Sequence, residues 1–343
     1  MKVLIMAGGR GARFWPLSQP EFPKQCIRWN DSETLLHQAI HRANKLAKLE
    51  DIFIITGPKM RSAIEDSLVG TGINHSQIIV EPTARNTAPC IALALGIIGS
   101  EPSSILIMPA DHLIQDSDEW VRCVRSAQSE CLNRAQPVLF GINPTIPHTG
   151  YGYIEATTPL IANQLSPVVR FREKPSHIQA NAFLKKGHFL WNAGMILTQL
   201  EQLELAFKKY LPQCHRYLQS LRDGSPIDGL WFETEEISLD YGILEHMSDL
   251  MVIAMDVGWS DVGSWDSAHL VLPKTEYGHG KAPFVSSVQS TNCVVMSEQM
   301  EIALVGVNNL VVVQNGNQLL VMNKDSAQSV RTAVTEIEKK PRK

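Results

Sequence analysis

An apolar run, Val3-Leu4-Ile5-Met6, breaks into Ala7-Gly8-Gly9-Arg10-Gly11-Ala12-Arg13, and Pro23-Lys24 follows shortly after. A short buried strand that ends in glycine leaves bare backbone N–H groups at its C-terminal end, where open α/β sheets bind ligands. Gly8, Gly9 and Gly11 let a polyanion approach closely, while Arg10, Arg13 and Lys24 supply the charge that glycine lacks. Ala7 to Arg13 is therefore read as a phosphate-binding loop. It is neither of the two commonest types. Phe14 stands where a dinucleotide fingerprint has its third glycine, and no Gly-Lys-Ser/Thr follows as in a P-loop.

The 343 residues carry a net charge of −4 and no long run of one sign, which argues against extended nucleic-acid or membrane-surface binding. The basic tail Lys339 to Lys343 reads as a solvated terminus. Few apolar residues precede Gly8, too few for a signal-peptide core or a membrane span, so a cytoplasmic location is expected. The six cysteines form no Cys-x-x-Cys pair and read as reduced thiols, some of them core.

Apolar runs at 2–6, 52–56, 77–80, 104–108 and 136–140 alternate with helical stretches, among them 88–98 and the set Leu35, Leu36, Ala39, Ile40, Ala43 and Leu46. This predicts a doubly wound, mostly parallel α/β sheet. Further β runs are expected at 151–156, 167–172, 190–197 and 250–255. After Pro273 the apolar pieces shorten to 293–296, 302–305, 310–313 and 319–322 between Asn, Gly and Gln clusters, as on successive turns of a small β-helix. A helix over 325–338 closes the chain. The expected division is 1–275 and 276–343.

Gly-Gly-x-Gly-x-Arg with Trp15-Pro16-Leu17-Ser18 and Pro23-Lys24-Gln25 resembles the signature of the sugar nucleotidyltransferases, in the mannose-1-phosphate guanylyltransferase branch. The resemblance covers nearly the whole chain, and its specificity lies in the order of many motifs. Arg10 and Ala12 stand where serine and threonine are common. The resemblance implies a Rossmann-like nucleotidyltransferase domain that carries a sugar-binding insertion. The implied reaction joins GTP and mannose 1-phosphate to give GDP-mannose and pyrophosphate, with Mg²⁺. It leaves open a homodimer, another sugar or base, and a catalytically inactive regulatory subunit that binds nucleotide sugars.

Such chemistry needs carboxylates for a metal and cations for phosphates on strand-end loops. Asp111, just after Ile105–Met108, and Asp261, after Leu250–Ala254, fit that requirement, though Asp111 also reads as a helix cap. By the resemblance both hold the metal, and Arg13, Lys24 and Asp111 are catalytic. Lys24 is expected on the phosphate loop, its loss barely moving stability. Ala7, Gly8, Gly9, Gly11, Arg13, Glu81, Pro82, Arg85, Asn86 and Thr87 are the nucleotide residues. Glu81 could accept from the N1–H and N2–H₂ edge of guanine, while Asn86 could equally cap the next helix. Asp111, Gly152, Glu173, Lys174, Asn192 and Asp261 form the sugar side, with Glu173 and Asn192 suited to hydroxyls and Lys174 to the sugar phosphate. Asp240 lies in a segment near the sugar, without an assigned role. His37 and His41 read as a solvated helix face, and Asp116 and Asp118 as a helix start.

Overall fold

Leucine, isoleucine and valine runs without polar interruption belong in strands covered on both faces, and Val3–Ile5 and Ile105–Met108 are so covered. The computed structural model describes residues 1–29, 33–157, 160–227 and 229–339. In chain order its first strands are β1 (Lys2–Met6), β2 (Ile52–Thr56), β3 (Ile78–Val80), β4 (Ser104–Pro109), β5 (Leu113–Ile114) and β6 (Val138–Ile142). They are followed by β7 (Tyr153–Ala156), β8 (Leu165–Arg172), β9 (Phe189–Gln199), β10 (Met251–Met255) and β11 (Trp259–Ser260).

Nine of these make one sheet in the order β3-β2-β1-β4-β9-β6-β10-β8-β7. Alternate residues of β1 feed two cores. Val3 and Ile5 pack with Leu36, Ile40 and Trp120 on one face, and Leu4 with Ile91, Leu95 and Ile107 on the other. That is the doubly wound arrangement. The half containing β1 to β4 is parallel, with β1 between β2 and β4. The other half is mixed, because β9 runs antiparallel to β4, β6 and β7. Hairpin-like returns can insert such strands where no crossover helix intervenes. His37, expected on a solvated face, is buried, whereas His41 is exposed. All six cysteines are buried and unpaired.

Beyond Pro273 lie β12 (Lys274–Thr275), β13 (Gly278–Lys281), β14 (Phe284–Val288), β15 (Cys293–Met296), β16 (Glu301–Val305), β17 (Leu310–Asn315) and β18 (Gln318–Asn323). Successive turns stack in parallel at a spacing of 17 residues, with Ser297 donating to Gln314 and Thr291 to Asn308. The 319–322 run is not another turn. β18 folds back antiparallel on β17 through Gly316, whose φ of 56° suits a tight two-residue loop. The closing helix is Val330–Lys339, preceded by a 3₁₀ segment from Lys324 to Ser329, so it starts later than its sequence suggests. Of the basic tail, only Lys339 lies within the described residues.

One apolar cluster joins the two parts. Phe14, Trp15, Trp29, Val262 and Trp265 pack with Val294, Val311, Val330 and Val334. Phe14 meets Trp29 and Trp265 edge to face at 4.9 and 5.1 Å, and the Trp265 indole donates to the Trp15 carbonyl at 3.1 Å. The glycine loop is thus held from below by the C-terminal part. Phe14→Ala is expected to lower the unfolding free energy by about 3–5 kcal/mol, the cost of emptying a fully buried aromatic position. Urea denaturation measures it, and a loss within about 0.5 kcal/mol, as for a surface change, would show that this cluster does not anchor the loop.

Candidate active site

The glycine loop is fixed through its carbonyls. Ala7 O accepts from Gln25 Nε2 at 2.8 Å and from Thr56 Oγ1 at 3.0 Å, and Gly11 O accepts from Ser18 Oγ at 2.7 Å. Among the described residues, none of the hydrogen bonds holding the loop uses the N–H of Gly8, Gly9, Gly11 or Ala12. Those donors remain for a ligand. Gly11 sits at φ 68°, and a Cβ there would lie 2.4 Å from Lys24 Cβ, so only glycine lets Lys24 pass beneath the loop.

Lys24 is 4% exposed, and its ammonium meets three acceptors. These are Asp111 Oδ2 at 2.8 Å, the Asp261 carbonyl at 2.7 Å and the Val262 carbonyl at 3.1 Å. An ammonium has three donors, so all are engaged. The sequence reads Lys24 as a catalytic phosphate-loop cation whose loss barely moves stability, and the structure buries it with all three donors paired. Lys24 is a buried tie between β4's end and the loop after β11, and its removal must cost stability. The antiparallel pairing of β5 with β11, Leu113 opposite Ser260, brings the same two loops together.

Burial works to raise the Asp111 carboxyl, yet the Lys24 ammonium, the His112 ring and the hydrogen bond from Lys24 hold it below its ordinary value. His112 Nε2 lies 3.9 Å from Asp111 Oδ1. Its Nδ1 accepts from the Trp259 indole at 3.2 Å. An indole N–H only donates, so the neutral ring carries its proton on Nε2, toward Asp111. Burial lowers the His112 pKa, which keeps the ring neutral. Behind this turn the buried Arg42 guanidinium, pushed down to about 10 by burial, donates to the His112 carbonyl at 3.1 Å.

A cavity of about 230 Å³ opens beside these loops, lined by His112, Tyr151, Gly152, Glu173, Asn192, Asp240, Trp259 and Asp261 among others. Tyr151 donates to Asp261 Oδ1 at 2.8 Å while its ring packs on His148, Trp191 and Trp259. Asn192 donates to Asp240 Oδ1 at 3.0 Å and accepts from the Gly194 N–H at 3.1 Å. Burial, and then the nearby Glu173 charge, push the Asp240 carboxyl up to about 6. Gly152 is crowded here, because a Cβ would lie 2.5 Å from Glu173 Oε2 and 3.0 Å from the Phe171 ring, so a side chain would push Glu173 aside. Lys174 pairs with Glu173 Oε1 at 2.8 Å, outside the cavity lining.

On the far side of β1, Glu81 follows β3 and is 5% exposed. Its Oε1 lies 3.8 Å from a Cβ built on Gly8 and 3.6 Å from one built on Gly57, so the carboxylate lies against two glycines. Burial raises its carboxyl to about 7, against a lowering hydrogen bond with the Arg85 backbone. The neighbouring residues are committed elsewhere. The Arg85 guanidinium donates to Thr234, Asn86 caps the helix Thr87–Ile98, Thr87 accepts from Leu239 N–H, and Pro82 is exposed.

Asp111 and Asp261 suit a hard divalent cation that takes most of its ligands from phosphate and water, since each carboxylate keeps oxygen surface beyond its protein contacts. Among the described residues no group of three or more His, Cys, Asp or Glu is arranged for a metal, so phosphate and water would supply the rest of any shell. His112, Tyr151, Trp259 and Arg42 were not anticipated. His112 adjoins Asp111 and Tyr151 adjoins Gly152 in the sequence, but Arg42 on its helix carries no local signal.

The chain belongs to the nucleotidyl transferase family, whose pattern matches residues 2–277, and residues 285–337 match the MannoseP isomerase/GMP-like beta-helix domain. It is 34% identical to the mannose-1-phosphate guanylyltransferase of Klebsiella pneumoniae, with 96% of this chain covering 72% of that protein. An Escherichia coli mannose-1-phosphate guanylyltransferase gives the same identity and coverage. Within the larger family, its relatives are thus the mannose-1-phosphate guanylyltransferases. A crystal structure from Thermus thermophilus, titled mannose-1-phosphate geranyltransferase, superposes with a TM-score of 0.88 at 28% identity, covering 98% of this chain and 99% of that one. A UDP-glucose pyrophosphorylase complexed with UDP-glucose shares the fold alone, at a TM-score of 0.55 and 16% identity. No helix of the described residues is long and apolar enough to cross a membrane.

Lys24→Met deletes the cation and leaves only the His112 ring and a backbone hydrogen bond to oppose burial at Asp111. The Asp111 carboxyl is then expected to titrate higher than in the parent protein, and stability to fall by about 3 kcal/mol, as when one partner of a buried ion pair is removed. A ¹³C-carboxyl NMR titration and a denaturation curve check both. An unmoved Asp111 titration would mean that Lys24 does not control it.

Proposed function

We propose that this chain transfers the guanylyl group of GTP to mannose 1-phosphate, forming GDP-mannose and pyrophosphate. The observation that carries the reading is Lys24, whose ammonium draws Asp111 and the Asp261 loop together between the glycine loop and the acidic cavity. An oxygen of the sugar phosphate attacks the α-phosphorus, and the bond to the β-phosphate breaks, so no protein nucleophile is required. Catalysis is then positioning and charge neutralisation. The Gly8–Ala12 N–H groups and Arg13 hold the triphosphate. Glu81 accepts from the guanine edge beside Gly8, and Glu173, Asn192 and Asp240 receive sugar hydroxyls. Lys174, paired with Glu173, lies where it can turn to the sugar phosphate.

Mg²⁺ held by Asp111 and Asp261 supplies neutralisation of the phosphate charge when bound. Lys24 and Tyr151 keep those two carboxylates aimed, and the neutral His112 donates toward Asp111 from a ring locked by Trp259. The proposal includes action in the cytoplasm and residues 1–275 as the catalytic part.

Measuring pyrophosphate release from purified protein across several nucleotides and sugar phosphates tests the reading. GTP with mannose 1-phosphate is expected to give the highest kcat/KM, and a clear preference for another pair would replace it. Asp111→Asn and Asp261→Asn should each lower kcat at least about a hundredfold at saturating Mg²⁺, as loss of preorganised charge stabilisation does. Normal turnover in either would remove that residue from the metal site.

Glu81 makes the base reading sensitive to pH. The carboxylate form accepts from guanine, and its pKa of about 7 in the free protein means that protonation competes below that value. KM for GTP should therefore rise about tenfold from pH 8 to pH 6. In Glu81→Gln the dependence should disappear, and GTP should lose about 1–3 kcal/mol of its advantage over ATP. Unchanged pH dependence and discrimination in that variant would assign base reading to other groups.

A further inference from the structure

A second cavity, of about 440 Å³, lies between the signature loop and the C-terminal helix Val330–Lys339, lined by Arg10, Gly11, Ala12, Arg13, Gly263, Arg331, Val334, Thr335 and Glu338. Residues 331, 334, 335 and 338 are spaced i, i+3, i+4 and i+7, so one face of the helix supplies the whole far wall. Val330 and Val334 are buried against the Phe14 and Trp265 cluster, which fixes that face against the loop. Three arginines and one carboxylate therefore surround one space.

Their pairing is incomplete. Arg10 Nη2 meets Glu338 Oε1 at 2.5 Å, while its Nε is buried without a hydrogen-bond partner. Among the described residues the side chains of Arg13 and Arg331 make no hydrogen bond or ion pair. The Arg10–Glu338 pair is partly exposed on both sides, at 27% and 46%, and such pairs are weak and easily exchanged. A multiply charged anion with many acceptor oxygens is the ligand that three guanidinium groups fit.

The cavity also borders the reacting centre. Gly263 lines the cavity, and a Cβ built there would lie 2.7 Å from Asp261 Oδ2, so the carboxylate packs against that bare glycine. Its other oxygen is held by Tyr151 in the acidic cavity. Asp261 lines the acidic cavity and Gly263 the arginine cavity, so one short turn borders both. In-line displacement at phosphorus requires the entering sugar phosphate and the leaving pyrophosphate to stand on opposite sides.

We propose that the C-terminal helix completes the polyphosphate site. Arg331 joins Arg10 and Arg13 around the β- and γ-phosphates of the nucleotide and around the pyrophosphate that leaves, and Glu338 holds Arg10 until these phosphates displace it. This rests on the proposed nucleotidyl transfer and adds a guard residue and a binding residue from outside the catalytic sheet.

Inorganic pyrophosphate with Mg²⁺ is the probe, titrated calorimetrically into the full chain at low and high salt. Arg331→Met should weaken pyrophosphate binding about tenfold, the size of losing one hydrogen bond to charge. It should raise KM for GTP without changing KM for the sugar phosphate. Glu338→Gln should bind pyrophosphate more tightly at low salt, with the gain fading at high salt as screening weakens the native pair. An Arg331→Met protein with unchanged affinity overturns the site. A Glu338→Gln protein that binds more weakly and melts earlier overturns the guard role, because it would make the pair a brace for the loop. Arg331 and Glu338 are themselves exposed, so the variants should fold, and the melting temperature verifies this. If pyrophosphate binding responds as expected while no GDP-mannose forms, the proposed function fails and this inference stands. If turnover is as proposed and both variants bind pyrophosphate like the parent, the inference fails alone.

Discussion

A single buried ammonium organises this molecule's centre. Lys24 reaches beneath the glycine loop and commits its three donors to the Asp111 carboxylate and two carbonyls of the Asp261–Val262 turn. Three chain segments far apart in sequence thereby share one charge. Leaving that charge buried and unpaired would be strongly destabilising, so the loops cannot drift apart without losing the contacts that make the burial tolerable. Glycine at position 11 is the steric counterpart, since any side chain there would occupy the path that Lys24 takes.

Around that tie, rigidity comes from three different sources. The parallel half of the sheet aligns the ends of β3, β2, β1 and β4 in that order, which places Glu81, the glycine loop and Asp111 along one edge. The β5–β11 pairing brings the turn that carries Asp261 up to the Asp111–His112 turn. Aromatic packing then seals the loop from below and the cavity from the side, with Phe14, Trp29 and Trp265 in one cluster and Tyr151, Trp191 and Trp259 in the other. The site's polar groups are therefore held by elements whose own positions are fixed by apolar burial, the condition for preorganised electrostatics.

The carboxylates around the site are kept in different states by their surroundings. Asp111 stays ionised because a cation answers its burial, whereas Asp240 and Glu81 are pushed upward because burial outweighs the groups that answer it. Environments that drive like groups apart in this way separate a charge-bearing role from hydrogen-bonding roles in ligand recognition.

Much of this was legible in the residues. Uninterrupted apolar runs announced the β1 to β4 half of the sheet, and the glycines after β1 and the aspartates just past strands stood out as candidate site residues, because period and punctuation are local properties of a chain. The 17-residue stacking of the C-terminal turns was also foreshadowed by its short, evenly spaced runs. What local pattern could not carry was any fact that depends on two distant segments meeting. Whether Lys24 points to solvent or lies buried, whether the Arg85 guanidinium faces a ligand or Thr234, and whether 319–322 continues a helix of strands or turns back as a hairpin are decided by which surfaces pack together. The same holds for the Trp259 indole that sets the His112 tautomer and for Glu338, which reaches Arg10 from the opposite end of the chain. Sequence alone determined the elements and the chemistry available, and tertiary structure decided the partners, because burial and charge pairing belong to contacts between segments and not to the order of residues along the chain.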